Sequence, residues 1–132
     1  MDWSAGRRMN FKLSYGLPFI AVILTHKGKS LRFDNFLIDT GSASTIIAAE
    51  IAVELGLGPE PMDVIRKIRG VGGTEYVYEK RIDRIQLGTK KLIQFKIQIG
   101  DMDYGFDIDG ILGMDYLMKS KAVIDLENMM LA

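Results

Sequence analysis

Short stretches in which apolar and polar residues alternate run through most of this 132-residue chain. The clearest are residues 81–87 and 91–99, which Gly88 and Thr89 join. Alternation with a period of two places every second side chain on the same face, as in a half-buried strand. Two such stretches with a glycine-containing connection predict a hairpin. The chain is therefore predicted to fold as an all-β protein built from hairpins.

Other segments complete this prediction. A first strand is predicted to begin at residue 11, and further strands are predicted over 19–25, 31–38, 46–47 and 122–126. A hairpin turn is predicted over 26–30, and a long hairpin over 64–78. Ile51, Ala52 and Leu55 share one face of a short helix predicted over 48–55, which Gly56 ends, and a second short helix is predicted over 114–119. We expect a single domain over 1–132, with 1–10 as a flexible or dimer-contacting segment.

Composition excludes several classes of protein. The chain has 17 Lys and Arg residues against 17 Asp and Glu residues, a balance that gives no reason to expect nucleic acid or a membrane as partner. The longest apolar run, residues 17–24, is far shorter than the ~20 residues that a membrane-spanning helix needs. There is no cysteine, which excludes disulfides and thiolate sites. We expect a cytoplasmic protein.

The motif Asp39-Thr40-Gly41-Ser42 follows the apolar residues Phe36, Leu37 and Ile38. It places a carboxylate where a buried strand must turn, and a buried carboxylate without a partner is costly. Gly41 lets the backbone approach the carboxylate closely, because no Cβ stands in the way. Taken alone, Asp39 also fits a turn aspartate that caps its own loop.

Three features in order are similar to those of the retropepsin-like aspartic proteases. They are the Asp39 motif after an apolar strand, a glycine-rich hairpin at 69–76 in the place of the family's flap, and Ile111-Leu112-Gly113 before a helix. The resemblance extends over residues 11–126. It implies an all-β, retropepsin-like acid protease barrel with one or two short helices.

The resemblance also implies an aspartic endopeptidase that acts on polypeptides without a cofactor or metal. In such enzymes two neighbouring carboxylates cannot both ionise, so the charged one activates a water and the protonated one polarises the scissile carbonyl. The chain has one Asp-Thr-Gly and no Asp-Ser-Gly. A homodimer would supply the second copy of Asp39 across a twofold axis.

Individual roles follow from the same resemblance. The catalytic set is Asp39, Thr40 and Gly41, with Thr40 bonding across to the partner's loop and Gly41 donating its N–H to the carboxylate. The substrate-binding set is Ser42, Ala43, Gly70, Val71, Gly72, Gly73 and Ile111. A Ser42 hydroxyl donated to the carboxylate would favour the charged form and move the activity optimum toward acid.

Two alternative functions remain open at this point. One is a catalytically silent dimerisation or peptide-binding module that keeps the fold, because a fold does not guarantee an activity. The other is an intact but latent protease that needs a partner, processing or a particular pH. The complete Asp39-Thr40-Gly41 motif favours an enzyme.

Other motifs give weaker evidence of a function. The acidic residues Asp101, Asp103, Asp107 and Asp109 depart from the EF-hand pattern, because Leu112 replaces its bidentate acid. The chain has one histidine, His26, which supports neither a histidine zinc site nor a Ser-His-Asp triad and is expected to be a solvated turn residue. The glycines at 70–73 lack the Lys-Ser/Thr ending of a phosphate loop.

Overall fold

The computed structural model describes residues 8–70, 73–102 and 107–132. The strands are β1 (Met9–Asn10), β2 (Lys12–Ser14), β3 (Leu17–His26), β4 (Lys29–Ile38), β5 (Ile46–Ala48), β6 (Ile65–Gly70), β7 (Gly73–Leu87), β8 (Lys90–Gly100), β9 (Gly110–Leu112), β10 (Ile124–Asp125) and β11 (Met130–Leu131). The helices are α1 (Ala49–Glu54) and α2 (Met114–Lys119). The all-β prediction with two short helices is confirmed.

Eight strands form one sheet in the order β2-β3-β4-β9-β5-β8-β7-β6. β3 pairs with β7 as well as with β2 and β4, so the six strands from β3 to β7 in this order close into a barrel. The barrel encloses the main core, whose completely buried side chains include Val22, Leu24, Phe36, Ile82, Ile85, Ile97 and Ile99. Closure removes the free edges of these six strands.

The tight turns lie where the sequence predicts them. Lys27 and Gly28 connect β3 and β4 with φ angles of 49° and 81°. Positive φ at both central positions is typical of the two-residue turns whose twist matches the flanking strands. Gly88, with φ of 57°, lies in the turn between β7 and β8.

His26 differs from its prediction. It is the last residue of β3, which extends farther than the sequence indicates, and its side chain is only 12% exposed. Its Nδ1 lies 3.8 Å from Oδ1 of Asp83. The prediction of a solvated turn residue is therefore wrong, because the two-residue turn leaves His26 within the strand.

The chain ends form a second sheet that the sequence did not indicate, with strand order β1-β11-β10. Met9 pairs with Leu131, and Ile124 pairs with the other side of Leu131. The predicted closing strand over 122–126 is thus only the two-residue β10. Residues 9–10 of the predicted N-terminal segment pair with the chain's own C-terminus, and residues 1–7 lie outside the described residues. We call β1, β11 and β10 the terminal sheet.

The strand that precedes the Asp39 motif and the strand that precedes α2 are neighbours in the barrel. β4 and β9 run parallel, with Phe36 opposite Gly110 and Ile38 opposite Leu112. The loop that follows β4 and the start of α2 that follows β9 therefore lie side by side. Within the described parts of the chain, no helix has the length and apolarity needed to cross a membrane.

Candidate active site

Asp39 is the first residue after β4, at the mouth of the barrel. Its backbone N–H donates to the carbonyl of Leu112 at 3.0 Å, which extends the pairing of β4 with β9 by one residue. The Gly41 N–H donates to Oδ1 of Asp39 at 2.9 Å, as predicted from the family resemblance. A Cβ on Gly41 would lie 3.2 Å from that same oxygen, so a side chain at this position would crowd the carboxylate. The Asp39 side chain remains partly exposed.

The loop of residues 39–45, here called the Asp39 loop, is fixed by the first turn of α2. The Met114 N–H donates to the carbonyl of Ser42 at 2.7 Å, and the Asp115 N–H donates to the carbonyl of Ala43 at 3.2 Å. Amide groups in the first turn of a helix have no partner within the helix. The Asp39 loop supplies those partners, and it thereby becomes part of a rigid element.

Ser42 differs from its prediction. Its hydroxyl donates to the carbonyl of Ser44 at 2.8 Å and not to the carboxylate of Asp39. The prediction of a more acid activity optimum depended on a bond to the carboxylate, so this contact removes its physical basis. Ser42 instead stabilises the turn, since its N–H also donates to the carbonyl of Asp39 at 3.2 Å.

The tip of the Asp39 loop is open to solvent. Thr40, Gly41 and Ala43 are exposed. The Thr40 hydroxyl has no hydrogen-bond partner within residues 8–70, 73–102 and 107–132 of the protomer. The Asp39 loop, which is bonded to α2, thus presents a partly exposed carboxylate and a hydroxyl that no described residue of the protomer binds.

Two residues that support this loop were not predicted from the sequence. Thr45 is completely buried, and its hydroxyl donates to Oδ1 of Asp115 at 2.7 Å. The Thr45 N–H donates to Oδ2 of the same carboxylate at 3.1 Å. The only sequence signal for Thr45 is its position next to the apolar pair Ile46 and Ile47, and Asp115 lies 70 positions away.

A family model described as aspartyl protease matches residues 22–116, which is most of the chain and includes the Asp39 loop and the start of α2. The chain belongs to the aspartyl protease family. A comparison with curated proteins gives no match.

Among solved structures, a retropepsin-like aspartic protease from Rickettsia conorii aligns with a TM-score of 0.66. The alignment covers 95% of this chain and 96% of that chain, at 19% sequence identity. The likeness shows that this member of the aspartyl protease family has the retropepsin-like fold, as predicted.

The family match also includes the glycine-rich hairpin of β6 and the facing part of β7. Gly70 pairs with Gly73 in register, so the predicted hairpin is present, whereas Val71 and Gly72 lie outside the described residues. At its base the Glu79 carboxylate accepts hydrogen bonds from Gln98 at 2.9 Å and Arg66 at 2.8 Å. These bonds hold the pKa of Glu79 below its usual range, despite partial burial. The base of this hairpin is thus fixed to β8.

Ile111, predicted to contact substrate, lies in β9 two residues before Gly113 and is 4% exposed in the protomer. It belongs to a small cluster with Phe19 and Ile108, separate from the barrel core. Leu37, two residues before Asp39, packs against the same cluster. An apolar group of side chains therefore adjoins the strand that carries the carboxylate.

Of the four acidic residues considered as a calcium site, Asp103 lies outside the described residues. In the parts of the chain that the structure describes, no three His, Asp or Glu side chains gather in a way that would hold a metal ion. Asp109 instead accepts the Asn35 N–H at 3.1 Å through Oδ2. Burial raises the pKa of Asp109, and the nearby charges of Asp34 and Asp107 raise it further.

This raised pKa predicts how stability depends on pH. A carboxyl whose pKa is higher in the folded than in the unfolded protein stabilises the fold when protonated, so its contribution is lost as pH rises through that pKa. Asp109→Asn removes the charge and keeps an oxygen for the Asn35 N–H. We expect the variant to be more stable than the parent at neutral pH, with a difference that vanishes in acid below pH ~4. Urea unfolding at several pH values measures this difference in the free energy of unfolding. A variant less stable than the parent at neutral pH would contradict the raised pKa of Asp109.

Proposed function

We propose that the protein is an aspartic endopeptidase that acts as a homodimer and hydrolyses peptide bonds with a water held between the two copies of Asp39. The observation that carries the proposal is the partly exposed Asp39 carboxylate, bound by the Gly41 N–H on a loop fixed by α2. Membership in the aspartyl protease family supports it. One chain supplies one Asp-Thr-Gly, so the site needs a second copy.

The chemistry follows from two carboxylates that share one water. Because two neighbouring carboxylates cannot both ionise, one copy of Asp39 is charged and the other protonated. The charged copy takes a proton from the water as the water attacks the carbonyl carbon, and the protonated copy donates a hydrogen bond to the carbonyl oxygen. Transfer of a proton to the departing nitrogen completes the cleavage, and the Gly41 N–H helps to hold each carboxylate in place.

Other residues then have roles around this pair. Thr40, whose hydroxyl has no hydrogen-bond partner among the described residues of the protomer, bonds across to the partner's loop. The hairpin with Gly70, Val71, Gly72 and Gly73 acts as a flap that closes over an extended peptide and excludes water. Ser42, Ala43 and Ile111 contact the substrate, whose backbone pairs with strand edges. Tyr76, which lies in β7 within the same hairpin and is 68% exposed, is a further contact to the substrate.

The terminal sheet supplies the dimer contact in this proposal. Both sides of β11 are already paired, with β1 and with β10, so a partner strand has access only to an outer edge. Val123 and Ala132 exchange both backbone hydrogen bonds, at 2.7 and 3.0 Å, so the N–H and C=O of Ile124 point away from β11. Two copies of β10 in antiparallel pairing are related by a twofold axis, which is the symmetry that the Asp39 pair requires.

Leu126, just after β10, gives a test of this contact. It is 73% exposed in the protomer, so Leu126→Glu removes no core packing, but it places a charge in the proposed interface. We expect the dimer dissociation constant to rise about tenfold or more. The matched control is Ile93→Glu, since Ile93 is 75% exposed on β8 outside the terminal sheet. Analytical ultracentrifugation measures the dimer dissociation constant of both variants. An equal increase in the two variants would refute the placement of the dimer contact at β10.

The activity itself is tested with an unstructured polypeptide such as casein, from mildly acidic to neutral pH and over a range of protein concentrations. We expect hydrolysis whose rate per subunit rises with the fraction of dimer and reaches a plateau when dimerisation is complete. Absence of hydrolysis from a stable dimer would instead favour the silent binding module or the latent protease.

A further inference from the structure

Asp115 is the second residue of α2, and its carboxylate is partly buried. It accepts three hydrogen bonds, two from the hydroxyl and N–H of Thr45 and one from the N–H of Tyr116 at 2.7 Å. Among the described residues it forms no ion pair. A partly buried carboxylate without a cation depends on such donors, and charge-assisted bonds of this kind are stronger than neutral ones.

Every hydrogen-bonding group of Thr45 is used. Besides the two bonds to Asp115, its Oγ1 accepts the Gly113 N–H at 3.2 Å and its carbonyl accepts the Gln98 N–H at 3.0 Å. Thr45 is completely buried, so water cannot replace these partners. One residue thus connects the end of the Asp39 loop to α2, to the residue after β9 and to β8.

Asp115 holds the same loop at a second point, because its own N–H donates to the carbonyl of Ala43 at 3.2 Å. The backbone of Asp115 therefore binds the middle of the loop, and its side chain binds the end. Asp39 lies at the start of this loop, where its N–H is held by Leu112. The loop is fixed at both ends, and Asp115 supplies three of the hydrogen bonds that hold the part farther from Asp39.

We propose that Asp115 is a positioning residue for the Asp39 pair and acts through Thr45. This proposal rests on the proposed function, since it concerns the distance between two copies of Asp39. Displacement of a reacting group by ~1 Å can reduce a rate by about 100-fold. The distance between two coupled carboxylates also determines how far apart their two apparent pKa values lie.

Steady-state kinetics on three single variants and one double variant tests the proposal. Asp115→Ala removes both side-chain hydrogen bonds to Thr45. Asp115→Asn keeps one oxygen acceptor and adds an amide group that can donate a hydrogen bond to Oγ1 of Thr45. Thr45→Val keeps the shape of Thr45 and removes its hydroxyl. We expect Asp115→Ala to lower kcat about 100-fold with KM within about threefold, and Asp115→Asn to recover most of kcat. In the double variant Thr45→Val with Asp115→Asn, the fall in the logarithm of kcat should be smaller than the sum of the falls in the two single variants.

The pH profile of kcat separates positioning from a general loss of stability. We expect the two limbs of the profile to move in Asp115→Ala, because the carboxylate separation changes. The matched control is Ile85→Val. Ile85 is completely buried, it lies in β7 where this strand pairs with β3, and none of the described hydrogen bonds joins it to the Asp39 loop. The substitution should lower the melting temperature without moving the limbs. Unmoved limbs in Asp115→Ala, or equal movement in the control, would overturn the proposal.

Amide hydrogen exchange gives a readout that needs no activity. The N–H groups of Ser42 and Met114 are bonded within the Asp39 loop and between the loop and α2. They should exchange faster in Asp115→Ala, at the parent rate in Ile85→Val, and near the parent rate in Asp115→Asn. If the parent hydrolyses nothing but these N–H groups exchange faster in Asp115→Ala than in the parent, the proposed function is rejected and the restraint of the Asp39 loop by Asp115 is retained. Unchanged exchange in Asp115→Ala would reject the inference itself.

Discussion

Asp39→Asn is expected to reduce peptide hydrolysis by at least about 10⁴-fold. General acid and base catalysis by one positioned group contributes about 10²- to 10⁴-fold, and the substitution removes the carboxylate from both subunits of a homodimer at once. An amide can neither take a proton from the water nor share a proton with a second carboxylate. The initial rate of cleavage of an unstructured substrate, followed at matched dimer concentration, measures the loss.

The same variant has its own structural control. Asparagine has the shape of aspartate and keeps an Oδ1 atom that can accept the Gly41 N–H. The urea unfolding midpoint and the dimer dissociation constant are therefore expected to stay close to the parent values. Hydrolysis at the parent rate in a folded dimeric Asp39→Asn protein would place the catalytic group elsewhere in the chain.

Gly113→Ala is expected to destabilise the protein by about 3 kcal/mol or more. A Cβ at this position would collide with the carbonyl of Ser44 and would lie 2.9 Å from the carbonyl oxygen of Ser42. Both are backbone atoms of the Asp39 loop, so no rotamer change relieves the contact. The collision must displace either the loop or the start of α2, and hydrolysis should fall together with stability.

Gly58→Ala provides the comparison for this prediction. Nothing lies within 4 Å of a Cβ built on Gly58, and its φ is not in the left-handed region. The change should therefore alter the free energy of unfolding by less than about 1 kcal/mol, in the stabilising direction if at all. Urea unfolding of both variants measures the difference. Similar stability of Gly113→Ala and Gly58→Ala would contradict the close approach of the Asp39 loop to Gly113.

Features that depend on local sequence were predictable. The two-residue turns at Gly28 and Gly88 follow from glycine between alternating stretches, and both helices follow from short periodic segments. The contact of the Gly41 N–H with Asp39 was predicted from the resemblance to the retropepsin-like proteases, and it spans only two residues. In each case the physical cause lies within a few positions of the residue concerned.

Features that depend on distant contacts were not predictable. β1 and β11 are two residues each, too short for a periodic signal, and their partners lie at opposite ends of the chain. The bond between Thr45 and Asp115 links positions 70 residues apart. The Asp39 carboxylate and the Ser44 carbonyl both lie close to Ser42 in the sequence, and the conformation of the loop brings the Ser42 hydroxyl to Ser44. These contacts follow from the tertiary fold.

Mixing the parent with Asp39→Asn protein tests the central claim that one site contains Asp39 from two subunits. Equal amounts, allowed to exchange subunits fully, place about half of the parent subunits in mixed dimers, because the two chains associate at random. If both carboxylates are needed, hydrolysis per parent subunit falls to about one half, and it falls further as the excess of the variant grows. Hydrolysis per parent subunit that does not change at any mixing ratio would show that each Asp39 works alone.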